Sequence, residues 1–411
     1  MTTATELRTV QAAGSRVRFT HGAGFWVIAA AFLITMAFST VPTPLYALYQ
    51  QRDGFSAFMI TVVFATYAVG VMASLYLAGH ISDWLGRRRV ALLAVLVEAI
   101  SAVIFLVWKD IPGLLLARFV CGVGIGMLTA TATAHLSELR RIARPAEDGS
   151  RSALISSMVN LGGLAFGPLV GGLLAQYGSL PLDRPYEVFL VLLLLSAIGI
   201  ALVPETVERA EERPAYRPQR VALPAAAKPL FFASAGGAFG AFAIFGLFTS
   251  LAPTFLAGTL HETSRLVAGV VTFVVFAAGA VSQALFVRLS RQRQLGLGIA
   301  LMSVGLVAVA VGGLLPNLWL FVLGGVAAGA GVGLVFRAAV ATVASLADAG
   351  SRGEVLAALF LTAYAGLAVP VLAIGVGIIL IPDQLALLIF SAIILVLVNI
   401  AGFRMLHANA R

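Results

Sequence analysis

Gly79-His80-Ile81-Ser82-Asp83-Trp84-Leu85-Gly86-Arg87-Arg88-Arg89 stands between two apolar stretches of helix length. Three consecutive arginines need only topology to explain them, because basic residues hold a connection on one side of a membrane. Topology needs no aspartate and no paired glycines. Gly79 and Gly86 lack side chains, so the chain can turn sharply and neighbouring helices can approach. Asp83, near the membrane surface, can accept hydrogen bonds and face a positive helix N-terminus.

The stretches on either side set the class. Of 411 residues, 60% are hydrophobic and 11% charged, and the mean hydropathy is +1.00. Soluble domains carry about 25% charged residues. A bilayer core takes roughly 20 apolar residues per helix. Spans are expected near 24–48, 58–79, 90–108, 112–137, 152–177, 186–204, 229–257, 266–287, 295–315, 317–343, 354–381 and 384–403. These runs are too long for barrel strands. The expected fold is an all-α integral membrane protein of twelve transmembrane helices.

The net charge of +9 invites a nucleic-acid reading, and its distribution rejects that. With the N-terminus placed in the cytoplasm, only Arg52, Lys109, Arg184 and Arg265 fall outside, and Arg118 and Arg337 fall within spans. The other 21 of the 27 basic residues fall on the cytoplasmic side. That bias places both termini in the cytoplasm and predicts contact with anionic lipid. Cys121 is the single cysteine, so no internal disulfide forms. No cleavable signal peptide is evident. The arginine-rich, alanine- and glycine-rich composition suggests a bacterial protein of the cell (inner) membrane.

The chain divides into a cytoplasmic tail (1–22), a six-helix bundle (23–203), a charged proline-containing linker (204–228), a second six-helix bundle (229–404) and a short tail (405–411). The 79–89 loop resembles the connection between helices 2 and 3 of major facilitator superfamily transporters, of pattern G-x-x-x-D-x-x-G-R-[RK]. Gly79, Asp83, Gly86, Arg87 and Arg88 fit it, and Trp84 stands where that family usually carries Arg or Lys. The resemblance implies two six-helix halves built of inverted three-helix repeats, with a site at the midplane between them. It also implies that Asp83 latches onto the start of helix 11, near Arg352 and Glu354, and that Glu138 completes a charge relay with Arg87 or Arg88. The second half shows the repeat only faintly. Its loop 287–293 keeps the basic residues and loses the Asp and both Gly.

The fifth span reads Gly163-Leu-Ala-Phe-Gly167-Pro168-Leu-Val-Gly171-Gly172. Glycines every four residues make one face bare backbone, against which a partner helix packs closely. Pro168 removes a backbone bond and permits a kink. The pattern resembles the antiporter motif of the superfamily's drug:proton exporters at all five Gly and Pro positions. In the fourth span, Arg118 precedes Gly122, Gly124 and Gly126, which resembles a motif of proton-coupled members, with Cys121 where Gln is common. An arginine within a span marks function by default.

Glu98 is the one carboxylate deep in a span. Ala91, Ala94, Ser101 and Ala102 share its face of helix 3, while Leu93, Leu96, Val97, Ile100, Ile104 and Val107 lie opposite, so Glu98 is expected to point into protein. There it suits a proton carrier, with Arg118 as partner. The acid that many drug exporters carry in helix 1 is absent. His135 can titrate near neutrality and joins the proton-coupling candidates. Because family helices 1, 4, 7 and 10 line the path, the substrate-cavity candidates are Thr35, Ser39, Thr43 and Tyr46, Asn160 of the fifth span, and the stripe of Phe239, Phe242 and Phe245. The sequence contains no P-loop, no HExxH or paired-Cys metal pattern and no GxSxG.

The resemblance therefore implies a non-enzymatic, monomeric, alternating-access transporter without metal or cofactor, driven by the proton gradient. Its partners are a small-molecule substrate, protons and lipid. Proton-coupled efflux of small amphipathic compounds or drugs is the leading expectation. A facilitator or proton symporter for a sugar or organic acid is the alternative.

Overall fold

The computed structural model describes residues 18–78, 81–147, 149–207, 227–346 and 352–408. Among them are twelve helices long and apolar enough to cross a membrane. They are α1 (His21–Thr40), α2 (Ala57–Ala78), α3 (Arg87–Val107), α4 (Ile111–Ala143), α5 (Ser150–Tyr177) and α6 (Arg184–Leu202) in the first half. The second half holds α7 (Lys228–Ser250), α8 (Arg265–Leu285), α9 (Arg291–Leu314), α10 (Leu318–Leu346), α11 (Arg352–Leu380) and α12 (Asp383–Ala408).

Local chemistry sets the ends. The hydroxyls of Thr20, Ser264 and Ser290 accept from the first-turn N–H groups of α1, α8 and α9. Prolines open α4, α6 and α7 within the first turn. Two expected spans are broken. The first stops at Thr40 and continues through a single 3-10 turn (Thr43–Leu45) into Tyr46–Asp53. Pro42 and Pro44 cannot donate the bonds a continuous helix needs. Pro253 does the same after α7, restarting the chain as Ala252–Gly258. The fourth helix runs on to Ala143, six residues beyond its apolar stretch, because Arg140 and Arg141 favour its C-terminal turn.

The repeat that the sequence has largely lost survives in packing. Within the first half α1 packs on α4, α5 and α6, α4 also on α2 and α3, and α3 on α6. Every one of these pairings recurs six helices later, with α7 on α10, α11 and α12, α10 also on α8 and α9, and α9 on α12. The halves meet along α5–α8 and along α2–α11. Leu93, Leu96, Ile100 and Val107 of α3 are exposed, Val97 and Ile104 from the same expected face are half-buried, and Ala91, Ala94, Glu98, Ser101 and Ala102 are buried. The exposed apolar side faces lipid and the small-residue side faces protein.

Candidate functional site

Between the two halves, side chains from both converge on one point. Ser39, Thr40, Phe64, Tyr67, Arg118 and Leu164 come from the first half, and Phe242, Phe245, Thr249, Phe276, Tyr364 and Leu367 from the second. The space left among them is about 30 Å³, room for a water or two and too little for a substrate. Arg118 is 1% exposed and does not reach the surface. Its Nη1 donates to the Ser39 carbonyl (2.6 Å), and its guanidinium lies 4.4 Å from the Tyr67 ring centre, a cation–π contact. Nε has no partner. Across the gap Tyr67 meets Tyr364 edge to face at 6.5 Å, and Phe242 packs on Tyr364 (5.6 Å) and Phe336 (4.9 Å).

Glu98 is fully buried, and neither carboxylate oxygen has a hydrogen-bond partner of ordinary geometry. Gly124 makes room for it, since a Cβ there would come within 2.5 Å of Oε1. The Cys121 thiol, a weak donor, lies beside it. The expected Glu98–Arg118 ion pair is not formed. Arg118 is turned toward α1 and α2 by Ser39 and Tyr67, while Glu98 rests against the Cys121–Gly124 face of α4. His135 stands seventeen residues beyond Arg118, roughly 25 Å along α4. It is buried, with Nε2 3.2 Å from the Pro204 carbonyl, away from both groups.

The cavity candidates separate. Ser39, Phe242 and Phe245 line the centre. Thr35 lies a turn away along α1, bonding its own helix at Ala31, and Thr43 and Tyr46 are buried beyond the proline break. Asn160 lies one turn before Leu164 and is not on the lining. Phe239 faces a separate apolar groove formed with α11 and α12. Residues three apart turn back about 60° per step on a helix, so the phenylalanine stripe cannot share one face. Sequence reading missed Tyr67, Tyr364, Thr40 and Thr249. Their helices were legible but their inward direction was not.

On α5 the glycine pattern is divided between two partners. Gly163 and Gly167 lie against α1, where a Cβ on Gly167 would overlap the Ala37 carbonyl and the Thr40 hydroxyl. Gly171 lies against the Val41 carbonyl. Gly172 instead meets Gly269 of α8 in the other half, and a Cβ on Gly269 would overlap the Pro168 carbonyl. Pro168 cannot donate to the carbonyl of Leu164. The Thr40 hydroxyl reaches that carbonyl from α1 at 3.0 Å. Thr40→Val should therefore cost about 1–2 kcal/mol of stability, and less in a Pro168→Ala background, where the missing N–H returns. Thermal melts of the four proteins in detergent measure this, and equal costs in both backgrounds would refute the pairing.

At the arginine-rich end Arg87 bonds Glu138 (Nη2 to Oε1, 3.1 Å) and Asp83 (2.5 Å). Asp83 is 60% exposed and makes no hydrogen bond or ion pair to α11 among the described residues. Among the described residues Asp83 turns back on its own loop, to Arg87, rather than onto α11. Gly79 and the side chain of Arg352 lie outside the described residues, and Glu354 is in the first turn of α11. Glu205 was not anticipated. Its carboxylate accepts from the Thr206 N–H (3.1 Å) and approaches the Arg88 N–H (3.4 Å) at the start of α3. It lies against Gly86, whose φ of +100° and crowding by that carboxylate leave no space for a side chain. Thr206 donates to Glu138 (2.6 Å), and Arg88 to the Val203 carbonyl (3.3 Å). The start of the inter-half linker is therefore tied to the loop and to α4. Residues 208–226 of that linker lie outside the described residues. Trp84 borders a shallow depression beside Arg88, Arg89 and Glu205.

Comparison with known proteins agrees with this architecture. Over 107 residues the chain is 34% identical to the arabinose-proton symporter of Bacillus subtilis (26% of this chain, 22% of that protein). Over 183 residues it is 30% identical to the puromycin resistance protein of Streptomyces alboniger (44% and 35%). Over 146 residues it is 25% identical to the quinolone resistance protein NorA of Staphylococcus aureus (35% and 36%). The matches thus span about a third or less of each relative's length. Among solved structures, the human organic anion transporter MFSD10 (TETRAN) superposes with a TM-score of 0.69 at 17% identity (94% of this chain, 99% of that one). An inward-facing bacterial homolog of the human lysosomal transporter Spinster gives 0.68 at 15% identity (94% and 96%). At such identities these two show the fold alone. The profile of the Major Facilitator Superfamily matches residues 27–371. With twelve candidate spans and two pseudo-equivalent halves around a shared cluster, the chain belongs to that superfamily of membrane transporters.

Proposed function

We propose that this protein is a proton-coupled exporter of small amphipathic compounds, working by alternating access in the cell membrane. The supporting observation is the placing of α5. Its Gly163 and Gly167 bed it on α1 and Gly171 on the break that follows, while Pro168 and Gly172 meet α8 of the other half. One helix thus joins the midplane to the seam between halves through bare backbone, where small rotations cost few side-chain contacts. Two relatives are named for resistance to puromycin and to quinolones, which supports export. The cluster itself supports an amphipathic cargo. Its hydroxyls are largely committed, Thr40 to Leu164 and Thr249 to Phe245, and the remaining wall is mostly aromatic.

In this reading Glu98 carries the proton and Arg118 borders the cargo. His135 serves the proton's path at the arginine-rich, cytoplasmic end. Asp83, Gly86, Arg87, Arg88 and Glu138, with Glu205, form the gate, and Asp83 exchanges its Arg87 contact for the start of α11 when the cytoplasmic side closes. The rival reading is import by symport, favoured by the 34% identity to the arabinose-proton symporter. Everted vesicles separate the two. An exporter should load an amphipathic dye into vesicles made acid inside and lose that accumulation on addition of a protonophore. Accumulation driven by the opposite gradient would establish symport.

A further inference from the structure

We propose that the central cluster selects small organic anions with an apolar or aromatic body, and that Arg118 is the group that binds their negative charge. The proposal rests on the transport reading and names its substrate class. Arg118 is the only formally charged side chain among the residues lining the cluster; no Asp or Glu is among them. Glu98, the buried acid of the neighbouring helix, is outside that lining and makes no ion pair with it.

The guanidinium is also underused. It is 1% exposed, Nη1 is held by the Ser39 carbonyl, and Nε has no partner. A buried positive charge with a spare donor gains a charge-assisted hydrogen bond from a carboxylate, with fork geometry suited to it. A cation placed there would meet a like charge, with no carboxylate in the lining to offset it, in a low-dielectric surrounding. The opposite wall supplies the body's partner, with Phe242, Phe245 and Tyr364 from the second half facing Arg118 and Tyr67 from the first. Both walls now touch, and the gap is about 30 Å³. A ligand therefore occupies the cluster only when the halves part, and the two walls belong to different halves. A polyol is disfavoured, because Thr40 and Thr249 already spend their hydrogens on helix carbonyls.

The test uses one skeleton in three charge states, namely 4-phenylbutyrate, its amide and 4-phenylbutylamine. Binding is measured calorimetrically on the full chain in nanodiscs, and flux in proteoliposomes under imposed proton gradients of both directions. The carboxylate should bind at least about tenfold more tightly than the amide, and the amine should not bind measurably. Arg118→Gln should erase that preference and Arg118→Lys retain part of it. Thr249→Asp, which sets a carboxylate in the same wall, should admit the amine. Amine binding that equals or exceeds carboxylate binding in the unmodified protein overturns the proposal, as does absence of binding by all three. Carboxylate binding without flux in either gradient would leave the anion site standing and defeat the transport reading. Flux of the amine alone would do the reverse.

Discussion

Gly167→Ala is expected to reduce substrate flux more than tenfold while still yielding protein that folds in detergent, and Gly167→Leu to yield no folded protein. A Cβ at this position has no space. It would overlap the Ala37 carbonyl and the Thr40 hydroxyl of α1; the carbonyl is helix backbone that cannot swing aside, and the hydroxyl is held by its bond to the Leu164 carbonyl. Relief requires α1 and α5 to separate, and overpacking of this kind costs about 1–3 kcal/mol even for small groups. Separation also weakens the Thr40–Leu164 bond that satisfies the carbonyl left open by Pro168. Thr40 and Leu164 both line the central cluster, so the distortion reaches the proposed cargo site directly. Gly162→Ala is the control on the same helix, because no heavy atom lies within 4 Å of its added Cβ. The measurement is flux per folded molecule and melting temperature for Gly167→Ala and Gly162→Ala, and the yield of folded protein for Gly167→Leu. Wild-type flux from Gly167→Ala would mean that the close approach has no part in the transport cycle.

The contrast between Gly162 and Gly167 shows what the sequence can say. The four-residue spacing of Gly163, Gly167 and Gly171 singles out one face without any structure, because spacing along one helix is a local property. The same holds for the twelve spans and for the inward side of α3. The partner of that face is a different matter. Nothing local distinguishes Gly171, which meets the break just after α1, from Gly172, which meets α8. In the sequence Thr40 is one more hydroxyl in a span, and its use depends on a proline 128 residues away in the chain. Arg118 and Glu98 were expected to pair because opposite charges on adjoining helices attract. They do not, because the rotation of α4 turns one toward Ser39 and Tyr67 and leaves the other against Gly124. Asp83 shows a further limit. The loop pattern alone points Asp83 toward helix 11, whereas in this structure its ion pair is with Arg87, four residues on.

Glu98→Gln is expected to abolish gradient-driven transport, by more than tenfold, while leaving substrate exchange intact. The side chain is fully buried, its oxygens lack ordinary hydrogen-bond partners, and no basic group pairs with it. Buried ionisable groups without a structural partner in a span are costly and mark function. Glutamine is close to isosteric, so it keeps the fit against Gly124 and beside Cys121 and removes only the capacity to take up and release a proton. Two assays on the same proteoliposomes isolate that loss. Accumulation against a gradient requires a proton to move with each cycle. Counterflow, in which unlabelled substrate inside exchanges for labelled substrate outside, requires only that the halves rock with cargo bound. The variant should fail the first and pass the second, and Glu98→Asp, which keeps a carboxyl on a shorter stem, should retain part of both. Accumulation by Glu98→Gln at the wild-type rate would remove Glu98 from the coupling path. Loss of counterflow together with accumulation would assign it instead to packing between α3 and α4, where Ser101 already joins the two helices through the Ala117 carbonyl at 2.8 Å.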